Sequence, residues 1–155
     1  MSEKLKVLFL CTGNSCRSQM AEGWARQLKG DVIEPSSAGI EKHGLNPDAV
    51  RVMAEAGVDI SGHRSKTLDE LGDAGFDYVV TVCGHAHETC PRFPGGAKVV
   101  HVGFDDPPKL AAAETAPANP QTPQTRERAL FHYRRVRDEI AAFIRQLPEA
   151  LDRDG

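Results

Sequence analysis

The sequence lacks any apolar run long enough to cross a bilayer, which takes about 20 consecutive apolar residues. It also lacks a basic excess, because 19 Lys and Arg face 22 Asp and Glu and leave a formal net charge of -3. No basic patch is therefore expected for nucleic acid. Residues 1–4 have neither the apolar segment nor the cleavage site of a signal peptide. We expect a cytoplasmic protein that binds neither membranes nor nucleic acids.

Cysteine is scarce, with four residues among 155. In a reducing compartment, so few thiols are more often reactive or metal-binding than joined in a structural framework. The length suits one domain with its own core and is too short for two. We therefore expect a single domain over residues 1–155 in which each cysteine has a role of its own. We also expect a monomer.

Apolar runs alternate with helical patterns along the chain. Strands are predicted at residues 5–10, 32–38, 78–82 and 98–102, and helices at 18–29, 47–56, 67–71 and 123–146. This alternation predicts an α/β fold with three α/β/α layers around a four-stranded parallel sheet. Residues 103–123 are predicted to be loop-like. Their Pro- and Ala-rich part, at about 111–121, is predicted to be an inserted surface loop with room for one helical turn at its start.

The stretch CTGNSCRS, from Cys11 to Ser18, is the most informative part of the chain. It follows a buried strand and precedes a helix, so the amide N–H groups of residues 12–17 can converge at the positive end of the helix dipole. Arg17 adds a planar set of donors. This pattern predicts a site for a tetrahedral oxyanion. Cys11 is the candidate nucleophile, because the same field favours its thiolate.

The loop itself supplies the predicted lining of the anion site: Thr12, Gly13, Asn14, Ser15, Cys16 and Arg17. Its glycine and asparagine tolerate positive φ angles, and Ser15 or Ser18 is expected to cap the helix that follows. The alternative is that Cys11 is only a packed residue at the end of a core strand.

Two further cysteines, Cys83 and Cys90, follow the third strand. If the segment between them were helical, their Cα atoms would be about 10.5 Å apart, whereas a disulfide tolerates at most roughly 7 Å. Pairing therefore requires that segment to unwind, and we expect a redox-driven change of conformation in residues 83–91. Zinc bound by these cysteines with His85 and His87 is the alternative. Their spacing is not that of common zinc sites, so we expect no metal.

An acid is predicted where the fourth strand ends, in the segment GFDDP. The first loop lies at the same carboxyl edge of the sheet, where such folds bind ligands. A carboxyl group there can protonate the oxygen that leaves when a thiolate attacks an oxyanion. We favour Asp106 because Pro107 restricts its backbone. The alternative is an Asp-Asp-Pro turn that serves only the backbone.

Together these segments resemble the thioredoxin-coupled arsenate reductases, a branch of the low-molecular-weight tyrosine phosphatase fold. The resemblance extends over most of the chain and rests on these blocks: CTGNSCRSQMAEGW at 11–24, SAGIEKHGLNP at 37–47, DISGH at 59–63, VVTVCGHAHETCP at 79–91, GFDDP at 103–107 and VRDEI at 136–140. It implies reduction of arsenate to arsenite in arsenic detoxification, with thioredoxin as the reductant and no bound cofactor.

The resemblance also implies a role for each matching residue of the anion site. Cys11 is the nucleophile, and Ser18 hydrogen-bonds its thiolate. Arg17 and the loop amides bind arsenate, and Asp106 is the acid. Cys16 matches a family position that turnover does not need.

The other two cysteines match the family's second and third thiols. In the implied relay, Cys83 attacks the sulfur of the adduct between Cys11 and arsenic, and arsenite leaves. Cys90 then attacks Cys83, and thioredoxin reduces the resulting disulfide. Other positions in these blocks, His43 and His63, are expected to make only structural hydrogen bonds.

One departure from the family concerns potassium. Some members bind this ion through residues that match Asn14, Glu22 and Ser37 together with an aspartate. At the position of that aspartate this chain has Lys66. An ammonium group near Glu22 could replace the ion electrostatically, so no potassium activation is expected.

Two other functions remain open at this point. A phosphotyrosine phosphatase would use Cys11, Arg17 and Asp106, but such enzymes usually carry an aromatic residue soon after the Asp-Pro pair, where this chain has Pro108 and Lys109. A weak phosphatase side activity is still expected, because phosphate and arsenate share shape and charge. The other alternative is a thiol redox sensor without turnover.

Overall fold

The computed structural model describes residues 4–71, 75–83, 97–114 and 122–153. Its strands are β1 (Leu5–Cys11), β2 (Ile33–Gly39), β3 (Tyr78–Thr81) and β4 (Lys98–His101). Its α-helices are α1 (Arg17–Lys29), α2 (Pro47–Glu55), α3 (Pro107–Glu114), α4 (Pro123–Ile144) and α5 (Glu149–Arg153), with a 3-10 helix at Leu68–Leu71. Within these ranges no helix is long and apolar enough to pass through a membrane.

The four strands form one parallel sheet in the order β2-β1-β3-β4. Strand β1 is central, and its residues 7–10 are fully buried because helices cover the sheet. This is the predicted three-layer α/β/α architecture with a four-stranded parallel sheet. Because all strands run the same way, the ends of β1, β3 and β4 lie at one edge, followed by Cys11, Cys83 and Asp106.

Helices α1 and α4 contribute most of the helical core. Residues 18–25 of α1 are all buried, because the helix packs against β1, β2 and α4. Helix α4 is amphipathic and buries one stripe of side chains at a spacing of three to four residues: Leu130, Tyr133, Val136, Ile140 and Ile144. Phe143 lies at the margin of this stripe, in edge contact with Phe104.

The segment after β4 differs from the prediction. It was expected to be loop-like, but α3 begins at Pro107 and continues to Glu114. Proline suits the first helical turn, and the alanines at 111–113 have high helix propensity. Contacts with α4 also anchor α3, because Glu114 at the end of α3 pairs with Arg128 and His132 of α4. The loop prediction is therefore wrong for residues 107–110, whereas the helix at 111–114 agrees with the helical turn expected at the start of the insertion; the remainder, 115–121, lies outside the described residues.

Asn46 caps α2 and connects it to two other elements. Its Oδ1 accepts hydrogen bonds from the N–H groups of Asp48 (2.8 Å) and Ala49 (3.2 Å). Its Nδ2 donates to the hydroxyl of Tyr133 in α4, and its own N–H donates to the carbonyl of Ser15. Burial raises the pKa of Tyr133 to about 12, so the hydroxyl stays protonated. One residue thus connects the start of α2 to α4 through its side chain and to the anion loop through its backbone.

Replacing Asn46 tests this connection. Asn46→Ala should lower the free energy of unfolding by about 1–2 kcal/mol, because two helix N–H groups and the Tyr133 hydroxyl lose their partner. Asn46→Ser should cost less, since serine retains the cap but not the contact with α4. Urea unfolding measures both. Equal losses in the two variants would show that the cap contributes nothing.

Candidate active site

The segment that follows β2 hydrogen-bonds the carbonyl groups of the loop between β1 and α1. The bonds are Ile40 N–H to Cys11 O (3.1 Å), Glu41 N–H to Thr12 O (2.8 Å), His43 N–H to Gly13 O (3.0 Å) and Asn46 N–H to Ser15 O (2.9 Å). The side chain of Gln19 donates to the carbonyl of Asn14 (3.1 Å). Within the described part of the chain, no hydrogen bond takes the N–H groups of residues 12–16. These amides are the donors an anion would use.

Asn14 gives the loop its turn. Its φ angle is 48°, in the left-handed region that asparagine tolerates, and its side chain is buried. Its Oδ1 accepts from the backbone N–H of Lys66 (2.9 Å) and from Gln19 (3.0 Å), while its Nδ2 donates to Ser18 Oγ (2.8 Å). Asn14 therefore stabilises the conformation of the loop through the hydrogen bonds of its buried side chain.

Ser18 lies next to the thiol of Cys11, with 3.0 Å between Oγ and Sγ. Because Ser18 Oγ already accepts from Asn14, its own hydrogen is available for the sulfur. A donated hydrogen bond favours the thiolate, which is the role predicted for Ser18. Helix α1 begins at Arg17, after Cys16, with no side-chain cap. The expectation that Ser15 or Ser18 caps this helix is therefore wrong.

Arg17 and Asp106 meet above the loop. Arg17 donates through Nη1 to the carbonyl of Phe104 (3.0 Å), and its Nη2 lies 3.6 Å from Asp106 Oδ1. The Arg17 side chain is 13% exposed and that of Asp106 41%, so the carboxyl group is open to a substrate. Both line a cavity of about 230 Å³ with these residues: Cys11, Thr12, Gly13, Ser15, Cys16, His43 and Pro108.

The second thiol of the predicted relay also lies at this loop. Cys83 is buried, and its Sγ is 3.2 Å from the hydroxyl of Thr12. Cys90 lies outside the described residues, as do His85 and His87. The expected change of conformation and the zinc alternative therefore remain sequence-based predictions.

Cys16 is a different kind of thiol. Burial raises its pKa well above 9.0, and the neighbouring Cys11 raises it further. The thiol of Cys16 therefore stays protonated near neutral pH and is a poor second nucleophile.

A buried charge network lies beside the loop, centred on Glu22. Its Oε1 accepts from Ser37 (2.6 Å) and is 3.8 Å from Lys66 Nζ, while its Oε2 accepts from Arg26 (2.8 Å) and is 3.7 Å from His63. Burial alone would raise the pKa of Glu22, but these hydrogen bonds and charges lower it overall. Burial lowers the pKa of Lys66 and of His63, against the opposing effect of Glu22.

The network places the ammonium group of Lys66 beside Glu22, where the sequence analysis expected a positive charge. Lys66 contacts Glu22 through Nζ and Asn14 through its backbone, so one residue links the network to the loop. The matched residues Asn14, Glu22 and Ser37 are buried, but with Lys66 among them the group already contains a cation. The residues present therefore fit a bound potassium ion poorly.

His43 lines the cavity, although the sequence analysis predicted no chemical role for it. It was expected to make only structural hydrogen bonds, yet its side chain lines the oxyanion cavity. Its place in the block SAGIEKHGLNP gave no chemical signal, because its position over the loop arises from the path of the chain after β2.

Known proteins are similar to this chain in sequence and in fold. A family model described as low molecular weight phosphotyrosine protein phosphatase matches residues 6–155. The arsenate reductases of Halalkalibacterium halodurans and Bacillus subtilis are each 47% identical to this chain; the alignments cover 96% and 92% of it and 98% and 94% of the relatives. The chain belongs to the arsenate reductase branch of this phosphatase family.

Solved structures agree with this assignment. An arsenate reductase in its oxidised state superposes with a TM-score of 0.72 at 28% identity, over 94% of this chain and 98% of the other. The low molecular weight protein tyrosine phosphatase from T. tengcongensis superposes with a TM-score of 0.69 at 29% identity, over 95% and 99% of the two chains. The arsenate reductase branch thus shares its fold with phosphatases.

The charge of Glu22 should be important for stability. Glu22→Gln should lower the free energy of unfolding by about 2–4 kcal/mol near neutral pH, because it leaves the ammonium of Lys66 buried without its carboxylate. The pKa of Glu22 is lowered in the fold, so the stabilisation is present above the ordinary value of 4.5 and is lost as the pH falls through the folded value. The difference between the two proteins should therefore shrink in acid.

Denaturant unfolding at several pH values measures this difference. The control is Glu127→Gln, which removes an exposed carboxylate paired with Arg134 and should change stability by less than about 0.5 kcal/mol. A loss for Glu22→Gln no greater than for this control would contradict a role for the buried charge.

Proposed function

We propose that the protein is a thioredoxin-dependent arsenate reductase that acts through three cysteines in arsenic detoxification. The observation that carries the proposal is the contact between Cys83 and Thr12, which puts a second buried thiol at the loop that holds Cys11. A phosphatase mechanism requires only one thiol, whereas a two-electron reduction requires two. The arsenate reductase relatives support the same conclusion.

In the first step, the thiolate of Cys11 attacks arsenate held by Arg17 and the loop amides. A bond forms between sulfur and arsenic, and the bond from arsenic to one oxygen breaks. Asp106 gives a proton to that oxygen, which leaves as water. The hydroxyl of Ser18 lies 3.0 Å from the sulfur of Cys11 and can donate a hydrogen bond to it. A related arsenate reductase has been solved in a phosphate binding state, which supports oxyanion binding by this fold.

In the second step, the thiolate of Cys83 attacks the sulfur of Cys11. A disulfide forms between the two, the bond between sulfur and arsenic breaks, and its electron pair stays on arsenic. Arsenic is thereby reduced by two electrons and leaves as arsenite, while the two thiols are oxidised. The contact of Cys83 with Thr12 supports this step, because it brings the attacking sulfur to the loop.

In the third step, Cys90 attacks Cys83 and releases Cys11 as a thiolate. The new disulfide joins Cys83 and Cys90, and its formation requires residues 84–89 to leave any helical conformation. Thioredoxin then reduces it. Relatives solved in oxidised and reduced states are consistent with a cycle between two redox forms.

Cysteine variants test the order of these steps. With reduced protein and no thioredoxin, the wild type should release arsenite in a stoichiometric single turnover and lose two thiols. Cys11→Ser and Cys83→Ser should release none, because the first cannot form the adduct and the second cannot break it. Cys90→Ser should release the same arsenite once, but should not turn over repeatedly with thioredoxin.

Arsenite release and thiol counts measure these outcomes. Repeated turnover of Cys90→Ser with thioredoxin would refute the three-thiol relay. Thiol oxidation in the wild type without any arsenite would instead favour a redox sensor.

A weak phosphatase activity is the second candidate function. The oxyanion cavity, with Arg17 and Asp106 at its mouth, supports it, since phosphate has the shape and charge of arsenate. Helix α3 carries Pro108 and Lys109 where an aromatic residue would flank a tyrosyl ring. We therefore propose slow hydrolysis of aryl phosphates that requires Cys11 but neither Cys83 nor Cys90.

Potassium should not activate the enzyme. The ammonium of Lys66 lies 3.8 Å from Glu22 and supplies the positive charge that an ion would bring. Replacing sodium by potassium at constant ionic strength should leave kcat/KM for arsenate unchanged within about twofold. Steady-state kinetics measures this ratio. A large rise with potassium would show that Lys66 does not replace the ion.

A further inference from the structure

His43 is held over the anion loop by contacts that do not involve a substrate. Its backbone N–H donates to the carbonyl of Gly13 (3.0 Å), and its Nε2 is 2.7 Å from Glu41 Oε2. The ring lies so close to the loop that a Cβ added to Gly13 would be 2.6 Å from His43 Cγ and closer still to Nδ1. The imidazole is therefore stacked against the loop, with Nδ1 on the side of Gly13.

Glu41 determines which nitrogen of His43 carries the proton. A carboxylate only accepts hydrogen bonds, so Nε2 carries the hydrogen in the neutral ring and Nδ1 is left with a lone pair. In the protonated ring, Nδ1 becomes a donor as well. The N–H of Glu41 also donates to the carbonyl of Thr12, so the pair is attached to the loop at two successive residues.

The charge balance of the cavity favours a second cation. The titratable and charged side chains that line it with His43 in the described part of the chain are Cys11 and Cys16 of the loop, Arg17 of α1 and Asp106 beyond β4. Arg17 already contacts Asp106, so a bound dianion beside the Cys11 thiolate has less than one full cation for itself. Apart from Arg17, His43 is the side chain of this set that can become positive.

We propose that His43, oriented by Glu41, is a substrate-binding residue whose protonated Nδ1 donates to an oxygen of the bound oxyanion. This deepens the proposed function, on which it rests for the identity of the substrate. Only the imidazolium form can donate from Nδ1, because in the neutral ring Nε2 keeps the hydrogen for Glu41 and Nδ1 has only a lone pair. Acid favours a protonated imidazole, so the contact should be stronger near pH 6 than near pH 8.5.

Sulfate is a suitable probe, because it is tetrahedral, is not reduced by thiols and stays a dianion across this range. His43→Ala should raise the Kd of sulfate about five- to tenfold near pH 6, and by less than about twofold near pH 8.5. Glu41→Gln should raise it by about two- to threefold near pH 6, since a neutral amide interacts with the imidazolium less strongly than a carboxylate does. Titration calorimetry at the two pH values measures these constants.

The chain offers a matched control in His132. This residue also pairs with a glutamate, at 3.2 Å from Glu114, but it does not line the cavity. His132→Gln should keep the wild-type Kd for sulfate at both pH values. The backbone bond from residue 43 to Gly13 remains in His43→Ala, so the loop should retain its shape; thermal unfolding checks this.

Several outcomes would overturn the inference. They are a wild type that binds no sulfate, a His43→Ala variant with wild-type affinity near pH 6, and an equal loss of affinity at both pH values. The last result would indicate a steric role only. Sulfate binding does not require reduction, so the proposed function is tested separately. Absence of arsenite would refute that function and leave the role of His43 in anion binding intact.

Discussion

The anion loop depends on the hydrogen bonds that its carbonyl groups make with the chain after β2. A peptide group that gives its oxygen to a neighbouring segment presents its N–H on the opposite side, so these bonds orient the loop amides towards a ligand. Gly39 makes the approach possible, because a Cβ there would lie 2.8 Å from Asn14 N and Thr12 O. The positive potential of the site thus comes from two segments held together, and not from α1 alone.

A chain of hydrogen bonds connects the loop to the thiol of Cys11. Lys66 holds Asn14, Asn14 donates to Ser18, and Ser18 is left to donate to Cys11. Each side chain can orient its donors and acceptors in one way that satisfies its neighbours, because these polar groups are buried away from water. The Glu22 network supports this chain from the far side through Lys66. The surroundings of the Cys11 thiol are therefore set by residues that do not line the cavity.

Local patterns predicted most of the fold correctly. The four strands, the long helix after Thr122 and the cap at Asn46 follow from apolar spacing and from residues whose preferences act over a few positions. The loop prediction failed at residues 107–110, because a proline pair is compatible with both a loop and the first turn of a helix, and packing on α4 decides between them. The capping role of Ser18 failed because its hydroxyl is already engaged with Asn14 and Cys11.

The sequence by itself determined the chemistry of the loop, because Cys11, Arg17 and the amides between them are close in the chain and a strand-to-helix turn leaves them few arrangements. Tertiary structure decided which atoms of distant groups contact that loop: Cys83 at Thr12, Lys66 at Asn14 and His43 over Gly13. Those contacts join segments that only the pairing of parallel strands brings to one edge. Residue spacing carries no information about such distances, whereas hydrogen bonding between the segments sets them to within a few tenths of an ångström.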